Sequence, residues 1–192
     1  MKKGVFLSLL LAVSLLFGCK AARVDAMDQA LAFRAKLQGS GGCSFRSRIT
    51  ADYGSQAYTF TLACETDGEG KLSFRVEDPE TIAGITGTVD GDTGKVTFDG
   101  TSLAFGPLAD GQLGPVSAPY ALARSWRTGY ITACGPDGEA LRMTVDASFE
   151  ENPVTVDTWL DGEKKVPICG EICYNGQRIL TVSIEDFEFI TD

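Results

Sequence analysis

The apolar positions of this chain change period along its length, and each change predicts an element. Residues 5–17 are an almost unbroken apolar run. In residues 24–38, Val24, Met27 and Leu31 interleave with Ala30, Phe33 and Leu37 at three- and four-residue spacing, which predicts a helix with one apolar stripe. Asp25 and Asp28 fall in its first turn and Lys36 in its last, as the helix dipole favours, and Gly39 stops it. Beyond Cys43 the period is two. Short β-rich runs are predicted at 43–51, 56–65, 71–77, 85–89, 95–98, 102–105, 129–134, 139–147, 154–160, 166–174 and 178–190. Asp-Gly punctuates them at 67–68, 90–91, 99–100, 110–111, 137–138 and 161–162, and Asn-Gly at 175–176. These dipeptides accept the positive φ angles of tight hairpins, so the expected arrangement is an antiparallel meander. Residues 117–127 interrupt it with Ala, Leu, Arg and Trp and no β-branched residue. They predict a short helix capped by Ser117, with Pro119 in its first turn and Tyr120, Leu122 and Trp126 as its large apolar side chains.

Within the strands, large apolar residues share one face. Tyr58, Phe60 and Leu62 alternate with smaller or polar neighbours, as do Leu72, Phe74 and Val76, then Leu141, Met143 and Val145, then Val154 and Val156, then Phe187 and Phe189. An antiparallel sheet with one apolar face must cover it. Two helices could close an ordinary core over it, or a curved sheet could keep an apolar cavity for acyl chains; the alternation admits both.

The start of the chain concerns location. Met1-Lys2-Lys3 is cationic, the apolar run that follows is short for a membrane span, and Gly18 precedes Cys19. That is the form of a secretory signal, and the cysteine at its cut site resembles the lipobox of bacterial lipoproteins. The expected organisation is a signal peptide at 1–18, a lipidated tether at 19–23 beginning with diacylated, palmitate-type Cys19, and one domain at 24–192. The protein would then be lipid-anchored to the cell membrane on its extracytoplasmic side. Loss of residues 1–18 leaves 174 residues, enough for one core, and moves the net charge from −9 to −11. Such acidity argues against nucleic acid as a partner. The chain has no histidine, which excludes Ser-His-Asp and Cys-His catalysis and the commonest metal ligand. No enzymatic activity and no cofactor are expected.

Five cysteines remain after Cys19. A hairpin turning at Tyr53-Gly54 would pair positions summing to 107, placing Phe45 opposite Leu62 and Cys43 opposite Cys64. That register predicts a Cys43–Cys64 disulfide, contributing roughly 3 kcal/mol by loop closure. Cys169 and Cys173 share a strand face but stand about 13 Å apart in regular geometry, so they pair only if Gly170 marks a bulge. Cys134 could join either of them, or make a third thiolate, but structural cysteines are the default expectation. Asp90-Gly91-Asp92-Thr93-Gly94 has the start of a calcium loop without its bidentate acid, since Thr101 occupies that place, and reads as a turn. Glu150-Glu151 and Glu185-Asp186 are expected to point to opposite faces of their strands rather than to converge.

Taken in order, the 30–37 helix, the Cys43–Phe45 strand start, Gly84-Ile85-Thr86-Gly87, the 117–127 insert and the final 179–189 strand resemble the LolA-like lipoprotein carriers and their LolB-like and mycobacterial lipid-binding relatives. Uncharacterised lipoproteins of Gram-positive bacteria look similar. The resemblance implies a mainly β (α+β) open antiparallel half-barrel of ten or eleven strands, its concave face covered by an N-terminal helix and a lid-like insert. It also implies an apolar cavity that binds lipid or lipoprotein acyl chains, here in a monomer. Tyr58, Phe60, Leu62, Phe74 and Trp126 are the expected lining, and Arg124 and Arg127 lie on the insert. The rival expectation is an envelope sensor or scaffold that uses the same fold with a filled core.

Overall fold

In a computed structural model of the chain, residues 25–52, 57–91, 93–98, 101–105, 108–109, 112–148 and 153–191 are described. The expected signal peptide, the expected tether with Cys19, the expected Tyr53-Gly54 turn and Glu150-Glu151 lie outside them. The first helix, α1, covers residues 25–38. Six strands follow: β1 Gly42–Asp52, β2 Ala57–Asp67, β3 Leu72–Asp78, β4 Thr86–Asp90, β5 Thr93–Phe98 and β6 Thr101–Phe105. A two-residue pair, β7 Leu108–Ala109 and β8 Gln112–Leu113, precedes the second helix, α2 Ala118–Arg127. The chain ends with β9 Tyr130–Asp137, β10 Ala140–Asp146, β11 Val154–Leu160, β12 Pro167–Tyr174 and β13 Gln177–Ile190. All eleven predicted strands and both helices are present; the β7–β8 pair in the Gly- and Pro-rich loop was not expected.

Eleven strands form one open antiparallel sheet in the order β6-β5-β4-β3-β2-β1-β13-β12-β11-β10-β9. This corrects the single meander to two, running outward from a central pair made by the first and last long strands. β1 and β13 share a long antiparallel ladder from Gly42–Ile190 to Ala51–Leu180. Hairpin signals report only strands adjacent in sequence, so this long-range pairing left no local trace.

One face of the sheet is apolar, and both helices lie on it. Ile49, Leu62, Leu72, Met143, Val156, Ile172 and Val182 are fully buried there, together with Leu37 of α1 and Leu122 and Trp126 of α2. Two glycines admit this packing. A side chain at Gly170 would strike the Leu122 side chain of α2, and one at Gly87 would strike the Phe74 ring. Gly170 is therefore a seat for α2 and not a bulge, pairing regularly with Thr158 and Val182. The irregularity in β12 falls two residues earlier, at Ile168, which is skipped between the Trp159–Cys169 and Leu160–Pro167 pairs.

The helices are also bound to each other. The last carbonyls of any helix lack partners within it. In α2 Arg34 of α1 takes two of them, its guanidinium donating to the carbonyl oxygens of Ser125 (3.0 Å) and Trp126 (3.1 Å), and it also bonds those of Thr128 (3.3 Å) and Gly129 (3.0 Å) just past the helix. Gln38 donates to the Arg127 carbonyl at 2.7 Å, and Arg127 returns bonds to the carbonyls of Leu37 and Gly68. The start of α2 departs from expectation. Ser117 has helical backbone angles, ends a 3-10 turn (Pro115–Ser117) and makes no side-chain cap. Its buried hydroxyl has no partner among the described residues.

Because Arg34 satisfies several half-buried carbonyls with charge-assisted bonds, Arg34→Ala should lower unfolding stability by about 1.5–3 kcal/mol. Arg34→Lys should recover less than half of that loss, since an ammonium cannot span four carbonyls. Urea denaturation of the three proteins measures both effects.

Candidate functional site: a packed inner face and a polar outer groove

The five expected lining residues all belong to the inner, apolar side, and they are enclosed to different degrees. Trp126 and Leu62 have no exposed surface and Phe74 is 4% exposed. Trp126 sits among Phe33, Phe45 and Phe187 at ring separations of 6.3, 5.3 and 5.8 Å, in edge-on geometries that aromatic rings favour. Its indole N–H donates to Thr158 Oγ1 at 3.0 Å, so its one polar atom is satisfied in the interior. Tyr58 and Phe60 are different. They stack on each other near the open end of β2, at 6.5 Å and 22° between planes, and Tyr58 is 45% exposed. Leu103 extends the same face at the β6 edge through its pairing with Val96, and it too is exposed.

A groove of about 820 Å³ lies on the opposite, polar face, spanning β13, β1, β2, β3, β4 and β5. The strands alternate, so short outward side chains (Ser44, Ala63, Ser73, Thr86, Thr88) make its floor and long charged ones make its walls. Phe45, Cys64 and Phe74 reach it only through main chain, because their side chains point to the inner face. The walls carry Arg46, Arg75 and Lys95 against Glu65, Glu77, Asp186 and Glu188. Arg46 is fixed by Glu77 Oε2 at 2.9 Å and by Asp186 Oδ2 at 3.5 Å. Asp186 has a φ of 52° at the point where the β1–β13 register shifts. This bulge turns Asp186 to the same side as Glu185, which pairs with Arg46, so the expected opposition of these two acids is corrected. The groove offers many donors and acceptors of both signs and no histidine. Its chemistry is that of polar recognition.

On the other half of the outer face lies a site that sequence reading missed. Asp157 is buried in β11 and accepts from Arg142 Nε at 3.2 Å, Arg142 Nη2 at 2.8 Å and Thr144 Oγ1 at 2.5 Å. The Arg142 guanidinium also lies 5.2 Å from the Trp159 ring, whose N–H donates to Asp137 at 2.8 Å. An acid in an otherwise apolar strand was the available signal. Its partners became visible only with the β10–β11 register.

The cysteine expectations need two corrections. Observed β1–β2 partners sum to 109, because residues 53–56 connect the strands where a two-residue turn was predicted. Moving a hairpin centre by one residue shifts partners by two and preserves the faces, which is why the apolar pattern still fits. Cys43 consequently faces Thr66, and Cys64 faces Phe45. Both are free thiols, each bonded to a hydroxyl: Cys43 to Thr66 at 3.3 Å and Cys64 to Ser47 at 3.4 Å. Cys134 lies on the inner face, its thiol 3.2 Å from the Ala26 carbonyl, whereas Cys169 and Cys173 lie on the outer face beside Trp159 and Thr155. The sheet itself therefore separates Cys134 from the other two. The Asp90–Gly94 segment forms the β4–β5 turn, in which Thr93 donates to the Asp90 carbonyl at 2.9 Å, and Asp92 lies outside the described residues.

No family model matches the sequence, and no curated protein matches it. Solved structures of LolA-like proteins do resemble it. A LolA superfamily protein from Nitrosomonas europaea is 8% identical with a TM-score of 0.41, over 85% of this chain and 94% of that one. The lipoprotein LppX of Mycobacterium tuberculosis is 10% identical with a TM-score of 0.43, over 85% and 93%. The complex of the CwlD amidase with the GerS lipoprotein from Clostridioides difficile gives 13% identity and a TM-score of 0.43, over 81% and 91%. Likeness this distant concerns the shared open sheet, and the function has to be argued from this chain's own surfaces.

Burial pushes the Cys64 thiol up to about 12, with the Ser47 hydrogen bond acting against it, and also raises Cys43 and Cys134. Burial also raises Cys169 and Cys173, but these two are half-buried while the other three are buried, so alkylation of the native protein at mildly alkaline pH should reach Cys169 and Cys173 well before Cys43, Cys64 or Cys134. Peptide mass mapping over time checks this; early modification of Cys64 would contradict it.

Proposed function

We propose that this is a lipid-anchored, non-enzymatic protein of the cell envelope that binds a partner at its surface, its inner face serving as structural core. The observation that carries the reading is the division of space. Where both helices cover the inner face, Trp126, Leu62 and Leu122 are sealed, while a groove of about 820 Å³ opens on the polar side. A groove with walls of both signs suits the surface of a folded protein of mixed charge better than an acyl chain, which would leave those charges desolvated and unpaired. Anchoring is assigned to the Cys19 thiol from the form of the leader, and location on the extracytoplasmic side follows from it.

A second reading has its own observation. Tyr58 and Phe60 stack on each other at a part of the inner face that the helices do not seal, Tyr58 being exposed. A single acyl chain could lie along it, stabilised at about 25 cal/mol per Å² of apolar surface covered.

Native mass spectrometry of protein extracted from membranes separates the two. The surface-binding reading predicts a mature domain with no mass beyond its own N-terminal lipid and no thermal shift on adding fatty acids. A co-purified lipid that Phe60→Ser releases would replace it with the second reading. The stability data should agree: Leu62→Ala in the sealed region should cost about 2–5 kcal/mol, and Phe60→Ala distinctly less.

A further inference from the structure

Hairpins of an antiparallel sheet alternate between its two ends. One end carries the turns after Asp67, Asp90, Asp137 and Asp161, together with the start of β1 and the finish of β13. The other carries the β12–β13 turn at Asn175-Gly176 and the β10–β11 connection. Helix α1 lies across the first of these ends. Its opening residues Asp25, Ala26 and Gln29 line a cavity of about 260 Å³ with Gly138, Gly162 and Lys165 of the β9–β10 and β11–β12 turns. The Ala26 carbonyl is held by Cys134 near the tip of β9. At the far end of the helix, Gly41 donates to the Ile190 carbonyl, which closes β13.

The distance from the anchor then limits how the domain can sit. Five residues separate Cys19 from Asp25, and a fully extended chain of that length reaches only about 20 Å. The first turn of α1 cannot stand farther than that from the headgroups holding the lipid. The Asn175-Gly176 turn lies beyond the eight residues of β12, about 27 Å further along the strand direction. The first end also presents Lys164 and Lys165 beside the start of α1. The same end also carries Asp25, Asp137, Glu139, Asp161 and Glu163, so the length of the tether, and not charge, sets the orientation.

We infer that the end of the sheet formed by the β9–β10 and β11–β12 turns, with Lys164 and Lys165 at its rim, is the membrane-facing surface, and that its partner is the phospholipid headgroup layer. This rests on the anchor reading for Cys19. The groove floor residues Ser44, Ala63 and Ser73 lie a few positions from the same end, so the groove would open low, close to the leaflet.

The test uses the full-length, membrane-processed protein reconstituted in phosphatidylglycerol–phosphatidylcholine vesicles that carry a headgroup-attached paramagnetic quencher. A fluorescent amino acid replaces Lys164 in one sample and Gln177 in another; both positions are exposed, and circular dichroism verifies folding. The expected result is several-fold stronger quenching at 164 than at 177. Equal quenching, or stronger quenching at 177, would overturn the proposed orientation while leaving the anchor intact. Intact mass separates the other failure: a mature chain without acyl groups on Cys19 would remove the anchor reading, and the orientation with it.

Discussion

The last turn of α2 ends over an apolar sheet with part-buried carbonyl oxygens, and Arg34 on the neighbouring helix satisfies them. That bond set fixes α2 against α1, and the rest of the arrangement depends on it. With α2 in place, Leu122 drops onto Gly170 and Trp126 enters a ring of three phenylalanines, where Thr158 accepts its only hydrogen. An indole buried without such an acceptor would be costly, so the position of the side chain is specified by chemistry as well as by shape. Two helices spanning 14 and 10 residues thereby close much of the apolar face of an eleven-stranded sheet.

Closing that face moves the available space elsewhere. Among the described residues no helix lies on the outer side of the sheet, and a run of short side chains there leaves the groove between Lys95 and Glu188. Its charges largely balance, and Arg46 is already engaged by Glu77 and Asp186. Exposed ion pairs of this kind add little to stability, so their arrangement here matters more for recognition than for folding. On the other half of the same face, Asp157 is the opposite case. Being buried, it depends on Arg142 and Thr144, and those bonds tie the β10–β11 pair together.

Local features were legible in the sequence. Asp-Gly and Asn-Gly turns marked the hairpins, the three-to-four spacing of Ala30, Phe33 and Leu37 marked α1, and alternation around Phe60 and Phe74 marked the buried face. What depended on distance was not. The pairing of β1 with β13 joins residues more than a hundred positions apart and leaves no periodic signal. The β1–β2 register was displaced because the length of a connection, not its apolar pattern, sets the partner, and a slip of two preserves every face. The cysteines followed that register. The apolar stripe showed that a face had to be covered, but not how the covering helices would be joined; that depends on Arg34, whose role is invisible until α1 and α2 are side by side. The outer groove had no sequence signature at all, since alternating Ser, Thr, Arg and Glu is the ordinary composition of a solvated strand face.

The central claim is that α2 belongs to a packed core and is not a lid that lifts over a cavity. Hydrogen exchange at the Trp126 indole N–H tests it most directly, because that proton meets solvent only when α2 leaves the sheet. A packed core requires exchange through global unfolding alone, with an opening free energy equal to the value from denaturant titration. Exchange at a free energy well below the global value, with the sheet amides still protected, would mean that α2 opens on a folded sheet and would contradict the account.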